Sequence, residues 1–167
     1  MLYIHGSAES PAAKQRYTGA LDTKSDDVQL RVIKAHWTES SAHKAVNSWL
    51  RLSTSREAAI GAVCAQDDSM AMGARKAFEE CSDRGSEWRK VPFLGCDGLP
   101  KTGQKWLHQD LLAATIYIPP NAGLAVEMLV KAIETGKLPP EITLTTAKSL
   151  PALEELARRA ATARAGR

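Results

Sequence analysis

Short β-branched and apolar runs, separated by longer segments of helical period, constrain this chain more than any other feature of its sequence. Such runs bury themselves in a sheet, and helical segments between them supply the crossovers that parallel strands need. The strand candidates are Leu2 to His5, Val28 to Ala35, Ile60 to Ala65, Pro92 to Cys96 and Leu112 to Ile118, with Ile142 to Thr145 as a weaker sixth. Between and after them the spacing predicts helices over Pro11 to Asp22, Glu39 to Leu52, after Asp67-Asp68 with Met70, Ala74, Ala77 and Phe78 on one side, over Asn121 to Thr135, and finally Leu150 to Ala163. Ser10 and Thr38 suit N-caps and Pro11 a first helical turn, while Gly136 and Pro139-Pro140 stop the fourth helix. The expected fold class is α/β: an open, mainly parallel sheet of five to six strands with helices on both faces.

With 167 residues, 44% hydrophobic and 25% charged, the chain suits one compact core, and disorder or a fibrous rod is excluded. Its net charge of +3 is small and mixed in sign, so no nucleic-acid surface is expected; the basic end (Arg158, Arg159, Arg164, Arg167) reads as a solvated helix terminus. No stretch approaches the roughly 20 apolar residues that cross a bilayer, so no membrane insertion is expected. The chain opens directly on Leu2-Tyr3-Ile4 and shows no export signal. Cys64, Cys81 and Cys96 are too far apart for a thiolate metal site and read as free thiols.

In an open parallel sheet, ligands gather beyond the carboxyl ends of the strands. Those ends carry His5-Gly6-Ser7, His36-Trp37-Thr38, Gln66-Asp67-Asp68-Ser69, Asp97-Gly98 and Tyr117-Ile118, a polar rim on an apolar sheet. Asp67 and Asp97 each close a strand, and ionised carboxylates there suit the hydroxyls of a sugar-like ligand; their ordinary alternative is turn formation. Asp68, directly before a helix, reads as its N-cap. Arg16 offers a bidentate fork, against a solvated helix face as its default. Trp37 offers a stacking surface for a sugar, against loop packing. His5 and His36 are possible cleft residues, whereas His43 reads as surface, and the four histidines lack metal-ligand spacing.

Asp67, Asp68 and Asp97 together suggest a remote alternative, a Mg²⁺-dependent acid-cluster enzyme. GLPKTGQK, from Gly98 to Lys105, has the glycine spacing of a phosphate loop without the lysine and hydroxyl that must follow. No nucleotide-binding or hydrolase motif accompanies it.

Three strings then stand in order: AQDDSMAMGARKAF (Ala65 to Phe78), PFLGCDGLPKTG (Pro92 to Gly103) and LLAATIYIPPNAG (Leu111 to Gly123), after an opening GSAESPAAKQRYTGALD (Gly6 to Asp22). Together they resemble the type I periplasmic sugar-binding proteins, ribose-binding-like, and the related effector domains of lactose-repressor-type regulators. The resemblance implies that Arg16, Asp67 and Asp97 match positions that bond ligand oxygens, with Trp37 or Tyr117 as an aromatic wall. Asp67 stands where ribose-type members carry an amide and Ile118 where they carry a glutamine, which departs from a ribose site.

The family pattern also needs a preceding lobe of similar size, so the expectation is a single lobe over residues 1–167, the C-terminal half of a two-lobed protein. The helix over 121–136, with Leu124, Met128, Leu129 and Ile133 on one face, would then pack on that other lobe; alone, it would fold back on its own sheet or enter a homodimer. The function implied is non-enzymatic binding of a small carbohydrate or polyol, without a cofactor, for an ABC-type importer whose permease the full-length protein would meet. The alternative is a regulator's effector domain. The resemblance implies a periplasmic or extracytoplasmic location.

Overall fold

The computed structural model of the chain describes residues 1–56, 58–81 and 88–165. The elements are β1 (Leu2–His5), α1 (Pro11–Thr23), β2 (Arg31–Lys34), α2 (Glu39–Leu50), α3 (Ser53–Arg56), β3 (Val63–Ala65), α4 (Asp68–Glu80), β4 (Phe93–Asp97), α5 (Lys105–His108), β5 (Ala114–Tyr117), α6 (Ala122–Thr135), β6 (Lys148–Leu150) and α7 (Leu153–Ala165). They form one sheet in the order β2-β1-β3-β4-β5-β6, parallel except for β6, which runs antiparallel to β5. The open, mainly parallel α/β sheet expected from the sequence is the one observed.

Side-chain alternation along β1 explains the two layers. Leu2 and Ile4 point into a core completed by Val46, Val63, Met70, Ala74, Phe78 and Phe93, where α2 and α4 cover the sheet. Tyr3 points the other way, its ring 5.7 Å from that of Tyr17 on α1. Ser10 accepts from the Ala13 N–H and Thr38 from the Ser41 N–H, so both expected caps form. Gly136 ends α6 at φ 67°, the left-handed turn its lack of a Cβ permits.

Several boundaries differ. The weaker sixth strand at Ile142 to Thr145 does not form; Lys148–Leu150 takes that edge, and Ile142 and Leu144 stand exposed. Leu150 therefore belongs to a strand, and the last helix starts at Leu153. β2 shortens to Arg31–Lys34 because it is an edge, hydrogen-bonded to a neighbour only through β1. Of the basic end, Arg167 lies outside the described residues.

α6 has no buried residue, and Leu129 and Ile133 are 59% and 75% exposed. It does not fold back on its own sheet, which removes one of the two arrangements expected for this helix in the chain alone.

Candidate ligand-binding site

Arg16 is the point where the strand ends meet. From the middle of α1, its Nη2 donates to Asp97 Oδ1 at 2.9 Å and its Nη1 to the carbonyl oxygen of Gln66. Its guanidinium carbon also lies 5.5 Å from the centre of the Trp37 ring, within cation–π range. The ends of β2, β3 and β4 thus converge on one cation. The Arg16 and Asp97 side chains keep 26% and 40% exposure, so the pair opens onto the rim with N–H donors and carboxylate lone pairs unspent.

Two of the rim residues hold unusual backbones: Trp37 has φ 60° and Asp97 has φ 99°. Left-handed conformations in non-glycine residues cost about 1–3 kcal/mol each and concentrate where a side chain must be aimed. Trp37 lies over Gly6, where an added Cβ would sit 2.4 Å from its ring. A glycine at position 6 is what lets the indole approach.

Gln66 supports this arrangement and was not singled out from the sequence. Buried at 2% exposure, it accepts the Gly6 N–H on Oε1 at 2.8 Å and donates from Nε2 to the Tyr3 hydroxyl and the Ala13 carbonyl. The available signal was a lone amide closing an apolar strand, since such a group must find partners when buried.

The capping role expected of Asp68 falls to its neighbour. Asp67, not Asp68, is the N-cap of α4: its Oδ1 accepts the Met70 N–H at 2.6 Å. Burial is the main cause raising its pKa, with the Met70 bond opposing. Asp68 turns under the sheet's end, accepting the Thr115 hydroxyl at 2.6 Å and the Gly98 N–H at 2.8 Å. Helix start and core-facing direction alternate at adjacent residues, so a shift of one position swaps capping for burial.

The other candidates divide. Tyr117 stands opposite Asp97 in the sheet register, and the Ile118 N–H donates to the Asp97 carbonyl at 3.1 Å, so both flank the pair. His5 is buried against Tyr17, ring centres 5.4 Å apart, and does not meet Arg16 or Asp97. His43 bonds Glu80 at 2.7 Å on the surface, as expected. A concavity of 720 Å³ bounded by Arg75, Phe93, His108 and Arg159 lies at the opposite end of the strands. The aimed charged groups stand instead at the rim.

The three aspartates do not form a cluster, because one caps a helix, one faces the core and one pairs with Arg16. Among the described residues no group of three or more His, Cys, Asp or Glu side chains is placed to hold a metal ion. Burial pushes the Cys64 and Cys96 thiols up to about 11, far from thiolate reactivity at neutral pH.

Burial also pushes Asp68 up from 3.8 to about 6, against the lowering effect of its Thr115 and Gly98 bonds. A carboxyl that binds its proton more tightly folded than unfolded contributes stability fully below the unfolded value, and loses it as pH rises through about 6. The melting temperature is therefore expected to fall from pH 5 to pH 7, and Asp68→Asn to flatten that slope. Asp67, also raised by burial, leaves a residual slope of the same sign in that variant.

The family model for the periplasmic binding protein domain matches residues 1–138. A D-galactose/methyl-galactoside binding periplasmic protein of Haemophilus influenzae is 29% identical over 109 residues, 65% of this chain and 30% of that protein. The fructose-binding periplasmic domain of a hybrid two-component system superposes with TM-score 0.74 and 27% identity, covering 89% of this chain and 48% of that one. A LacI family transcriptional regulator from Arthrobacter, in complex with lactose, gives TM-score 0.60 and 25% identity over 85% of this chain and 50% of that one. The chain thus spans half or less of the length of these relatives. With the match running from β1 to beyond α6 and the rim built as described, the protein belongs to the periplasmic binding protein domain family.

Proposed function

We propose that this chain binds a small carbohydrate or related polyol at the rim formed by Arg16, Asp97, Trp37, Tyr117 and Ile118, with Asp67 at its border. The observation that carries the reading is the Arg16–Asp97 pair, held at 2.9 Å yet open to the rim. A fixed cation and carboxylate side by side match the alternating donors and acceptors of vicinal hydroxyls, and an indole edge beside them suits a sugar's apolar face. The work is binding, not catalysis, in keeping with the binding proteins and regulators it is similar to. For a periplasmic protein of this kind the partner is an ABC-type permease. A regulator's effector domain is the second reading, favoured by the likeness to the Arthrobacter protein.

Thermal-shift screening against pentoses, hexoses, polyols and inositols tests the proposal, because a ligand that binds only the folded state raises its melting temperature. A reproducible shift is expected with at least one class. No shift with any of them, in a protein that also carries a second lobe, overturns it.

The rim supplies one wall of a cleft, and the second wall is a further α/β lobe, onto which α6 packs. The support is that Leu129 and Ile133 stand exposed and that the chain spans about half of its relatives' length. Exposed apolar helix faces of this kind favour burial at about 25 cal/mol per Å². Leu129→Lys with Ile133→Lys is expected to change the stability of the lobe by about 1 kcal/mol or less, as two surface changes do, with the cations placed toward the helix C-terminus. The chain alone is expected to associate as its concentration rises in sedimentation, and the same pair to abolish that association. A wild-type chain that stays monomeric at every concentration counts against the docking role of α6.

A further inference from the structure

Asp68 is almost completely buried, at 3% exposure, and its carboxylate fills a slot that two glycines make possible. A Cβ on Gly95 would lie 2.2 Å from its Oδ1, and one on Gly103 would lie 2.1 Å from its Oδ2. Gly98 gives its N–H to Oδ2 at 2.8 Å, while Thr115 closes the other oxygen at 2.6 Å. The helix start of α4, the end of β4, the turn after it and β5 are thereby tied to one side chain.

The bond to Gly98 falls directly after the rim aspartate. Asp97 and Gly98 have φ 99° and 60°, two consecutive left-handed residues, and this turn is what aims the Asp97 carboxylate at Arg16. Aspartate tolerates positive φ better than most residues but still at a cost, so two such residues in succession are held by contacts from outside the turn. Its own carbonyl is engaged by the Ile118 N–H, and the next amide by Asp68.

We propose that Asp68 is a positioning residue: it locks the Asp97–Gly98 turn from below and so sets the Arg16–Asp97 pair in its ligand-ready geometry. The part concerning ligand affinity rests on the sugar-binding reading; the part concerning Arg16 does not. Asparagine at position 68 keeps shape and both contacts, because its oxygen accepts the Gly98 N–H while its amide donates to a Thr115 hydroxyl turned round. Alanine keeps neither.

The test follows the Arg16 guanidinium by NMR in the free chain, and sugar affinity in parallel with D-galactose and D-fructose as probes. In the wild type, restrained Arg16 Nη signals are expected. Asp68→Ala should average them and weaken any sugar binding by about tenfold or more, equivalent to about 1.4 kcal/mol. Asp68→Asn should restore both. Thr115→Val, which removes one bond but spares the Gly98 contact, should lower the melting temperature and leave the Arg16 signals intact.

If Arg16 keeps its restrained signals in a folded Asp68→Ala protein, or Thr115→Val erases them as fully as Asp68→Ala, the turn is held by general packing and the proposal fails. If neither sugar binds even the wild type, the sugar reading loses support while the Arg16 signals still decide the role of Asp68. Should Asp68→Ala not fold, exchange of the Gly98 amide in the wild type decides: protection supports the lock, and exchange at the rate of an open loop overturns it.

Discussion

Replacing Arg16 with alanine is expected to abolish the sugar-dependent thermal shift while leaving a folded protein. The side chain is partly exposed and stands at the rim outside the hydrophobic core, so its loss removes no core packing. What disappears is the cation that three strand ends share: Asp97 loses its partner, the Gln66 carbonyl its donor and Trp37 its stacked charge. Hydrogen bonds to a charged group contribute about 1.5–3 kcal/mol each, so a ligand held by two of them should lose affinity by about a hundredfold or more. Arg16→Lys is expected to recover only a fraction, because an ammonium keeps the charge but cannot fork to Asp97 and Gln66 at once. Isothermal titration with any sugar found in the screen measures both. A shift that survives Arg16→Ala places the ligand elsewhere.

The largest effect on stability is expected from Gly73→Ala. Helices α2 and α4 cross so closely at this residue that an added Cβ would lie 2.1 Å from the Glu39 carbonyl oxygen and 3.0 Å from the His43 backbone nitrogen. Both obstacles are backbone atoms, and no rotamer change relieves them. The helices must part, and the packing of Ala42, Val46, Met70 and Ala74 behind them loosens. Overpacking a tight interior costs about 3 kcal/mol at the upper end of the usual range, and a chain of this size then loses roughly 6–12 °C in Tm. Ordinarily an alanine inside a helix stabilises relative to glycine, so a measured increase in Tm would show that the crossing is looser than described. Neither Arg16 nor Asp97 touches this crossing, so sugar affinity in the folded fraction should be unchanged.

These two sites were not equally visible beforehand. The apolar stripe of α4 around Gly73 follows from helical periodicity, and Met70, Ala74, Ala77 and Phe78 are buried as their spacing requires. Ser10, Thr38 and Gly136 acted as the sequence implied because a cap involves neighbours within a few residues. The sixth strand was placed too early for the opposite reason. Ile142 to Thr145 has the right composition, but strand formation at an edge depends on which residues meet β5, and Lys148–Leu150 do.

Sequence alone therefore determined the α/β class, the mainly parallel direction of the strands and the polar residues that close them, whereas Arg16 and Asp97 stood out among polar residues only through the family resemblance. The first three come from local periodicity and from the general rule that strand ends converge. The tertiary structure alone decided which of two adjacent aspartates caps α4, that Gln66 braces the rim, that His5 turns away beneath α1, and that Gly95 and Gly103 make room for one carboxylate. The partners of Asp68 lie 30 and 47 residues away along the chain, and those of Gln66 as far as 63. A polar side chain at a strand end carries no local mark of which distant backbone it will meet; only the closed sheet brings them within hydrogen-bonding distance.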